Sequence, residues 1–378
     1  MKSIVNKVAI ALASLAVMPV AFSGSDLHSR VEQLEKQMSE VGTENAFGGF
    51  GAKTASARPS KDNNNWFITG DLLYWTSMVG GTEFAYTDNG RVISYPIQGR
   101  TKEIDFGWDF GFRVGLGYNF CHDNWDIYAQ YTYFGNDGSK STSAGCNSVV
   151  IPMRGGICSD AVNGGAWLAR RAKSQFDLNF QSVDLTIGRN YFVSQFLSLR
   201  PSFGLKAAFI DLEQQTVYSC GDDTTTFCGV DFNSFGVNNL KLREDSDFKG
   251  VGPEIGVNTK WHLAKGFSFF ANAVGALTYG FFDVDYRERY SGDESHQIKL
   301  SANTHKMVPH AQIHAGVAYD LFFDCDAQHI GFSLGFDGQY WWRANQMVKI
   351  DDMAPLKYER WSEDLSMHGV TFEVRWDF

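Results

Sequence analysis

From residue 66 to residue 378, apolar and polar side chains alternate with a period of two. The last segment is the clearest case. Val370, Phe372, Val374, Trp376 and Phe378 alternate with Thr371, Glu373, Arg375 and Asp377. Likewise Trp108, Phe110, Phe112, Val114, Leu116, Tyr118 and Phe120 alternate with Asp109, Gly111, Arg113, Gly115, Gly117 and Asn119. Such alternation places successive side chains on opposite faces of a strand, one apolar and one polar. A soluble sandwich alternates too, but globular strands average roughly 5–6 residues, whereas a tilted strand crossing a bilayer needs about 9–11. The runs 108–120, 251–263 and 330–342 exceed that span. Tryptophans also gather near the ends of runs (Trp66, Trp75, Trp108, Trp125, Trp261, Trp341, Trp342, Trp376), where an interfacial aromatic girdle would lie. The expected fold is all-β, an antiparallel transmembrane β-barrel over 66–378.

Composition closes off other classes. The chain has 33 Lys and Arg against 43 Asp and Glu, which excludes a basic nucleic-acid binder, and its 44% hydrophobic content excludes a disordered chain. The one sustained apolar run, 8–22, follows Lys2 and Lys7 and ends at Ser23. It reads as a secretory signal peptide over 1–23, too short to span a membrane as a helix. Over 24–44, Leu27, Val31, Leu34, Met38 and Val41 occupy heptad a and d positions, so a short coiled-coil helix is expected. Residues 45–65, rich in Gly, Ala, Ser and Asn, read as a flexible linker.

The alternating segments are 66–77, 108–120, 124–136, 176–192, 197–213, 248–263, 267–287, 308–323, 329–345 and 367–378, about ten strands. Short turns alternate with long connections at 78–107, 137–175, 214–247, 288–307 and 346–366, the pattern of periplasmic turns and extracellular loops. Residues 82–95, with Asp88-Asn89-Gly90 as turn, read as a hairpin above the membrane; were they to span, the count would be twelve. In 176–192 the phase breaks: Phe176, Leu178 and Phe180 are even, Val183, Leu185 and Ile187 odd. This predicts a bulge near Gln181 and Ser182.

With the apolar parity outward, the interior wall carries Asp109, Arg113, Arg200, Lys206, Glu254, Lys260, Arg343, Glu373 and Arg375, together with Asp71, Asp126, Gln130, His310, His314 and Asp337. Arg or Lys facing lipid at the midplane costs about 2–4 kcal/mol, so these positions imply an aqueous or ion-paired lumen. These are the expected pore-lining residues. Acidic residues such as Glu244, Asp245 and Asp247 fall in the expected loops and read as solvated surface. The chain contains no GxSxG, HExxH or phosphate-loop motif, so neither catalysis, cofactor nor metal site is expected. Six cysteines suit an oxidising compartment. Cys146 and Cys158 share one long loop and Cys220 and Cys228 another, so local disulfides are the simplest pairing, each contributing about 3 kcal/mol. Cys121 and Cys325, in separate short turns, remain open between a mutual bond, crosslinks and free thiols.

The last strand, ending on Phe378, resembles the assembly signal of bacterial outer-membrane barrels. Gly70-Asp71-Leu72-Leu73-Tyr74-Trp75, then Gly81-Thr82-Glu83-Phe84-Ala85-Tyr86, then Phe106-Gly107-Trp108-Asp109-Phe110-Gly111-Phe112-Arg113-Val114-Gly115-Leu116-Gly117-Tyr118 resemble the Legionella-type pore-forming major outer membrane protein family. Similar proteins occur in environmental chlamydiae. Arg200-Pro201-Ser202-Phe203-Gly204-Leu205-Lys206-Ala207 and Gly250-Val251-Gly252-Pro253-Glu254 extend the resemblance, which covers 66–378. It implies an abundant pore-forming protein of the cell outer membrane, with membrane lipid and the barrel-assembly machinery as partners. The expected function is passage of small hydrophilic solutes or ions through a charged lumen, by a homo-oligomer for which a trimer fits the heptad. The alternative is a surface adhesin or structural coat protein built on a closed barrel, as an intermolecular disulfide network would suit.

Overall fold

A computed structural model describes residues 66–88, 98–120, 125–145, 148–155, 169–194, 196–219, 239–264, 266–290, 297–323, 328–351, 357–360 and 362–378. The signal peptide, the coiled coil and the linker expected over 1–65, and all six cysteines, lie outside the described residues. The strands in chain order are β1 (Trp66–Val79), β2 (Ala85–Asp88), β3 (Gly99–Lys102), β4 (Trp108–Asn119), β5 (Trp125–Ser143), β6 (Val149–Pro152), β7 (Arg171–Arg189) and β8 (Tyr191–Ser194). They continue with β9 (Leu197–Ser219), β10 (Asn239–Ala264), β11 (Phe267–Tyr290), β12 (Gln297–Phe323), β13 (Gln328–Asn345), β14 (Val348–Asp351), β15 (Lys357–Arg360) and β16 (Glu363–Asp377).

Ten of these strands close an antiparallel barrel. Its order is β1, β4, β5, β7, β9, β10, β11, β12, β13, β16, with β16 returning to β1 along the register Phe67–Asp377 to Val79–Leu365. Closure pairs both sides of every barrel strand, which is the only way a sheet can satisfy its backbone inside lipid. The segment expected to form a hairpin above the membrane does not join the wall. β2 pairs with both β3 and β6 in a separate three-stranded sheet, so the count is ten rather than twelve.

Several strands are far longer than expected. β9 has 23 residues, β10 26, β11 24 and β12 27, against 14 in β1 and 12 in β4. Much of 137–175, 214–247 and 288–307, expected as loop, is therefore wall. The reason is a reversal of polarity at constant parity. In the lower part of β10, Val251, Ile255, Val257 and Trp261 are exposed to the outside, while Glu254 and His262 are buried inside. Above Val251 the inward positions become apolar: Leu240, Leu242 and Phe248 are buried. The outward positions there become Lys241, Arg243, Asp245, Asp247 and Lys249. The outer face meets lipid below and water above; the inner face meets a polar lumen below and a packed core above.

The same reversal corrects the expected bulge in β7. Its register is unbroken against both β5 and β9. Phe176 and Phe180 are 0% exposed in the upper interior, while Val183 at 43% and Leu185 at 44% face outward below them. The phase break is thus a change of environment along one regular strand.

The upper interior is filled. Trp75, Phe134, Phe176, Phe180, Phe248, Phe282 and Trp341 are fully or nearly fully buried in one cluster. Phe180 on β7 meets Trp341 on β13 with ring centroids 5.7 Å apart, although these strands stand on opposite sides of the barrel. The β2–β3–β6 sheet closes the mouth above. Gln214 donates to the Thr82 carbonyl at 3.2 Å, Tyr218 hydroxyl to the Phe84 carbonyl, and Arg154 to the Glu83 carbonyl at 2.9 Å. Arg154 also donates to the Gly81 carbonyl and pairs with Glu244 of β10. Glu244, read from sequence as loop surface, is therefore an inward anchor for this cap.

The reversal predicts position-specific costs within β7. Leu185→Arg, at a lipid-facing site, should destabilise the barrel by about 2–4 kcal/mol, whereas Gln175→Arg, outward but above the apolar belt, should be nearly neutral. Reversible unfolding in lipid vesicles measures both; equal costs would contradict the placement.

Candidate functional site

The lower interior, inside the membrane, carries the chemistry. Its side chains are charged because the alternation points them away from lipid, and most of its cations meet carboxylates projected from other strands. Arg113 on β4 is buried and bridges two strands: its Nη1 lies 3.2 Å from Asp71 on β1 and its Nη2 3.0 Å from Asp337 on β13. Its Nε donates to Thr132 at 3.2 Å, and the guanidinium lies 5.4 Å from the Trp75 ring centre, under the aromatic layer. Gln312 donates to both oxygens of Asp337, at 3.0 and 2.9 Å.

Three further groups complete the wall. Lys206 on β9 lies 2.6 Å from Asp184 and 3.1 Å from Glu254. Arg200 on β9 reaches Asp126 on β5 with its Nε at 2.9 Å. Near the end formed by the short turns, Lys260 pairs with Asp320 at 2.6 Å, and His329 joins Asp320 at 3.0 Å to Asp377 at 2.7 Å. Arg375 also holds Asp377, at 2.7 Å, and covers the Phe67 ring at 3.9 Å. Small residues in β4 make room for these groups: a Cβ at Gly117 would stand 2.0 Å from the Phe67 ring, and one at Gly115 2.3 Å from the Tyr128 hydroxyl.

Between these pairs lies a cavity of ≈ 170 Å³, bordered among others by Asp71, Arg113, Tyr128, Arg200, Asn258, Asn272, His314, Glu373 and Arg375. Of the nine charged residues expected to line a pore, Arg113, Arg200, Glu373 and Arg375 border this cavity. Lys206, Glu254 and Lys260 face inward in the ion pairs around it. Asp109 faces inward higher up, where its carboxylate accepts a hydrogen bond from Asn136 at 2.7 Å.

Arg343 departs from the expectation. Its φ is 58°, its side chain is exposed, and the β13–β16 register slips between Trp341 and Asn345. This irregularity turns Trp342 and Arg343 outward together, so alternation no longer assigns the inner face. The Arg343 backbone N–H donates to Asp364 at 2.7 Å. Phe378 closes the seam instead through its backbone, donating to the Trp66 carbonyl at 3.0 Å.

Sequence reading omitted the Asp320–His329–Asp377 chain and the aromatic layer. Parity alone would have placed Asp320 and His329 inward, but both sit at strand ends beside short turns, where parity is hardest to read. Above the lipid-facing belt, Asp177, Asp211, Glu213, Asp245, Asp247, Asp283 and Asp285 line an outer-wall cleft of ≈ 400 Å³ together with Arg243, which pairs with Glu213 and Asp245. Burial, and then the neighbouring carboxylates of Asp211 and Asp245, push the Asp247 carboxyl above its ordinary range. No group of three or more His, Cys, Asp or Glu side chains suited to a metal ion occurs among the described residues.

The buried pairs predict a sharp asymmetry. Arg113→Ala strands Asp71 and Asp337 without their cation and should cost about 3–5 kcal/mol in urea unfolding of the detergent-folded chain. A loss under about 1 kcal/mol, the level of exposed pairs, would contradict the burial.

Among solved structures, the chain is similar at 8% identity to the outer membrane protein OprG from Pseudomonas aeruginosa, covering 83% of this chain and 98% of that one, with a TM-score of 0.27. A major outer membrane protein from Thermus thermophilus gives 9% identity, 83% and 98% coverage and a TM-score of 0.27. The P. putida toluene transporter TodX gives 8% identity, 83% and 90% coverage and a TM-score of 0.27. No curated protein matches the chain. Residues 58–378 match the family described as Legionella pneumophila major outer membrane protein precursor; the chain belongs to that family and is an outer-membrane β-barrel.

Proposed function

We propose that this chain is a gated pore of the outer membrane, passing small hydrophilic solutes or ions through its charged interior. The observation that carries the reading is the charged wall around the ≈ 170 Å³ cavity at membrane depth. A merely structural barrel could be packed there with apolar side chains, as this one is above. In the conformation described, the aromatic layer around Trp75, Phe134, Phe180 and Trp341 stands between that cavity and the outer mouth. Apolar constrictions gate by excluding water, so conduction requires this layer to part. The protein supplies the wall and the gate; the reading needs neither cofactor nor catalytic group. Its working form is a homo-oligomer, inserted by the assembly machinery through the β16 end of the chain.

A second reading, a closed barrel serving as coat or adhesin, is favoured by the Phe180–Trp341 contact across the lumen. Planar-bilayer recording of the folded full chain separates the two. The pore reading expects brief, discrete current steps, with the double variant Phe180→Ala, Trp341→Ala open several-fold longer or at higher conductance. Wild type and variant that both insert as folded barrels and both stay silent would overturn it in favour of the closed barrel.

A further inference from the structure

Above the lipid belt, the outward face of β7, β9, β10, β11 and β12 is sorted by sign, rung by rung. The outward aromatic side chains of β9 and β11 end at Phe209 and Phe281, which share a rung with Lys249. The next rung upward carries Asp211, Asp247 and Asp283. The one above it carries Asp177, Glu213, Asp245 and Asp285. The following two rungs reverse the sign: Arg243, Arg287 and Lys299 share the lower, and Lys173, Lys241 and Arg289 the upper. Like charges therefore stand directly opposite one another. Asp245 faces Asp285, Arg243 faces Arg287, Arg287 faces Lys299, and Lys241 faces Arg289. Such pairs destabilise a sheet, whereas mixing the signs along each rung would stabilise it. The chain offsets this sorting only in part. Arg243 reaches down to Glu213 at 3.0 Å and to Asp245 at 3.2 Å, and Arg287 reaches Asp285 at 3.0 Å. Lys173, Lys241, Arg289 and Lys299 are exposed and form no ion pair among the described residues.

Height selects the partner. With a rise of roughly 3.3 Å per residue and a tilt of about 40°, the acidic rungs stand about 5 and 10 Å above the Phe209–Phe281 rung, and the basic ones about 15 and 20 Å above it. Phospholipid headgroups extend only about 5–8 Å beyond the hydrocarbon, level with the acidic rungs. The unpaired cations stand higher, above carboxylates that repel an anion at headgroup level. They also lie on the side of the wall, continuous with the lipid-facing belt, where a membrane-anchored partner arrives by lateral diffusion. We propose that the two basic rungs dock the phosphate- or carboxylate-bearing saccharide of an outer-leaflet glycolipid. Lys173, Lys241, Arg289 and Lys299 supply the positive charge, and the apolar belt below receives the acyl chains. The inference goes beyond the pore reading and does not depend on it, since it needs the barrel's place in the outer membrane and not an open lumen.

Titration of the fluorescently labelled, detergent-folded full chain tests this with three probes: lipopolysaccharide with a phosphorylated core saccharide, lipid A without that core, and heparin. Lipopolysaccharide should bind at least about tenfold tighter than lipid A, and more weakly as salt is raised. The triple variant Lys173→Gln, Lys241→Gln, Arg289→Gln should weaken lipopolysaccharide at least about tenfold and leave lipid A unchanged. Gln215→Lys, which adds a cation beside Arg243 on the lower basic rung, should tighten lipopolysaccharide about threefold. Three results would each overturn the proposal. The first is lipid A binding as tightly as lipopolysaccharide. The second is lipopolysaccharide affinity indifferent to the triple variant or to Gln215→Lys. The third is heparin binding as tightly as lipopolysaccharide, which would make the strip a site for soluble polyanions.

Discussion

Everything in this structure depends on a strand having only two faces while its surroundings change along its length. In the lower half the outward face must suit lipid and the inward face a polar lumen; in the upper half the outward face meets water. Because parity cannot change without a bulge, polarity changes instead. β10 illustrates it: Val251 and Ile255 outward give way to Asp245 and Asp247 outward, while Glu254 inward gives way to Phe248 and Leu242 inward. The barrel is therefore two containers stacked on one wall, a charged one in the membrane and an apolar one above it.

The two halves are held by different physics. The upper core is dry packing, in which Phe180 and Trp341 span the lumen and the β2–β3–β6 sheet caps the mouth through Arg154, Gln214 and Tyr218. The lower half is held by ion pairs that reach across one or more strands, such as Arg113 to Asp337 and Lys260 to Asp320. Replacing such pairs by apolar groups is often neutral or stabilising, so their retention around a cavity suits a role beyond stability. The charged half surrounds a cavity at membrane depth, and the apolar half fills the lumen above it.

Much of this was legible in the sequence. Alternation over runs such as 108–120 and 367–378 gave antiparallel wall strands, and outward parity placed Arg113, Lys206 and Glu254 inside. Legibility failed where a local rule met a non-local environment. The rule that apolar means outward holds only beside lipid, so Phe176, Leu178 and Phe180 suggested a bulge, and the upper strands were read as loops. At Arg343 the failure was of the other kind, since a backbone irregularity with φ of 58° leaves no trace in an alternation pattern.

The sequence by itself determined the strand periodicity, the barrel class and the parity of most wall residues beside lipid, because those follow from neighbours two positions apart. Only the tertiary structure decided which apolar residues meet lipid and which meet one another. It also decided that Arg113 serves carboxylates from two other strands and that the β2–β3–β6 sheet fills the mouth. The physical reason is that these outcomes depend on what stands across the lumen, and closure of the wall brings together residues as far apart in the chain as Asp71 and Glu373.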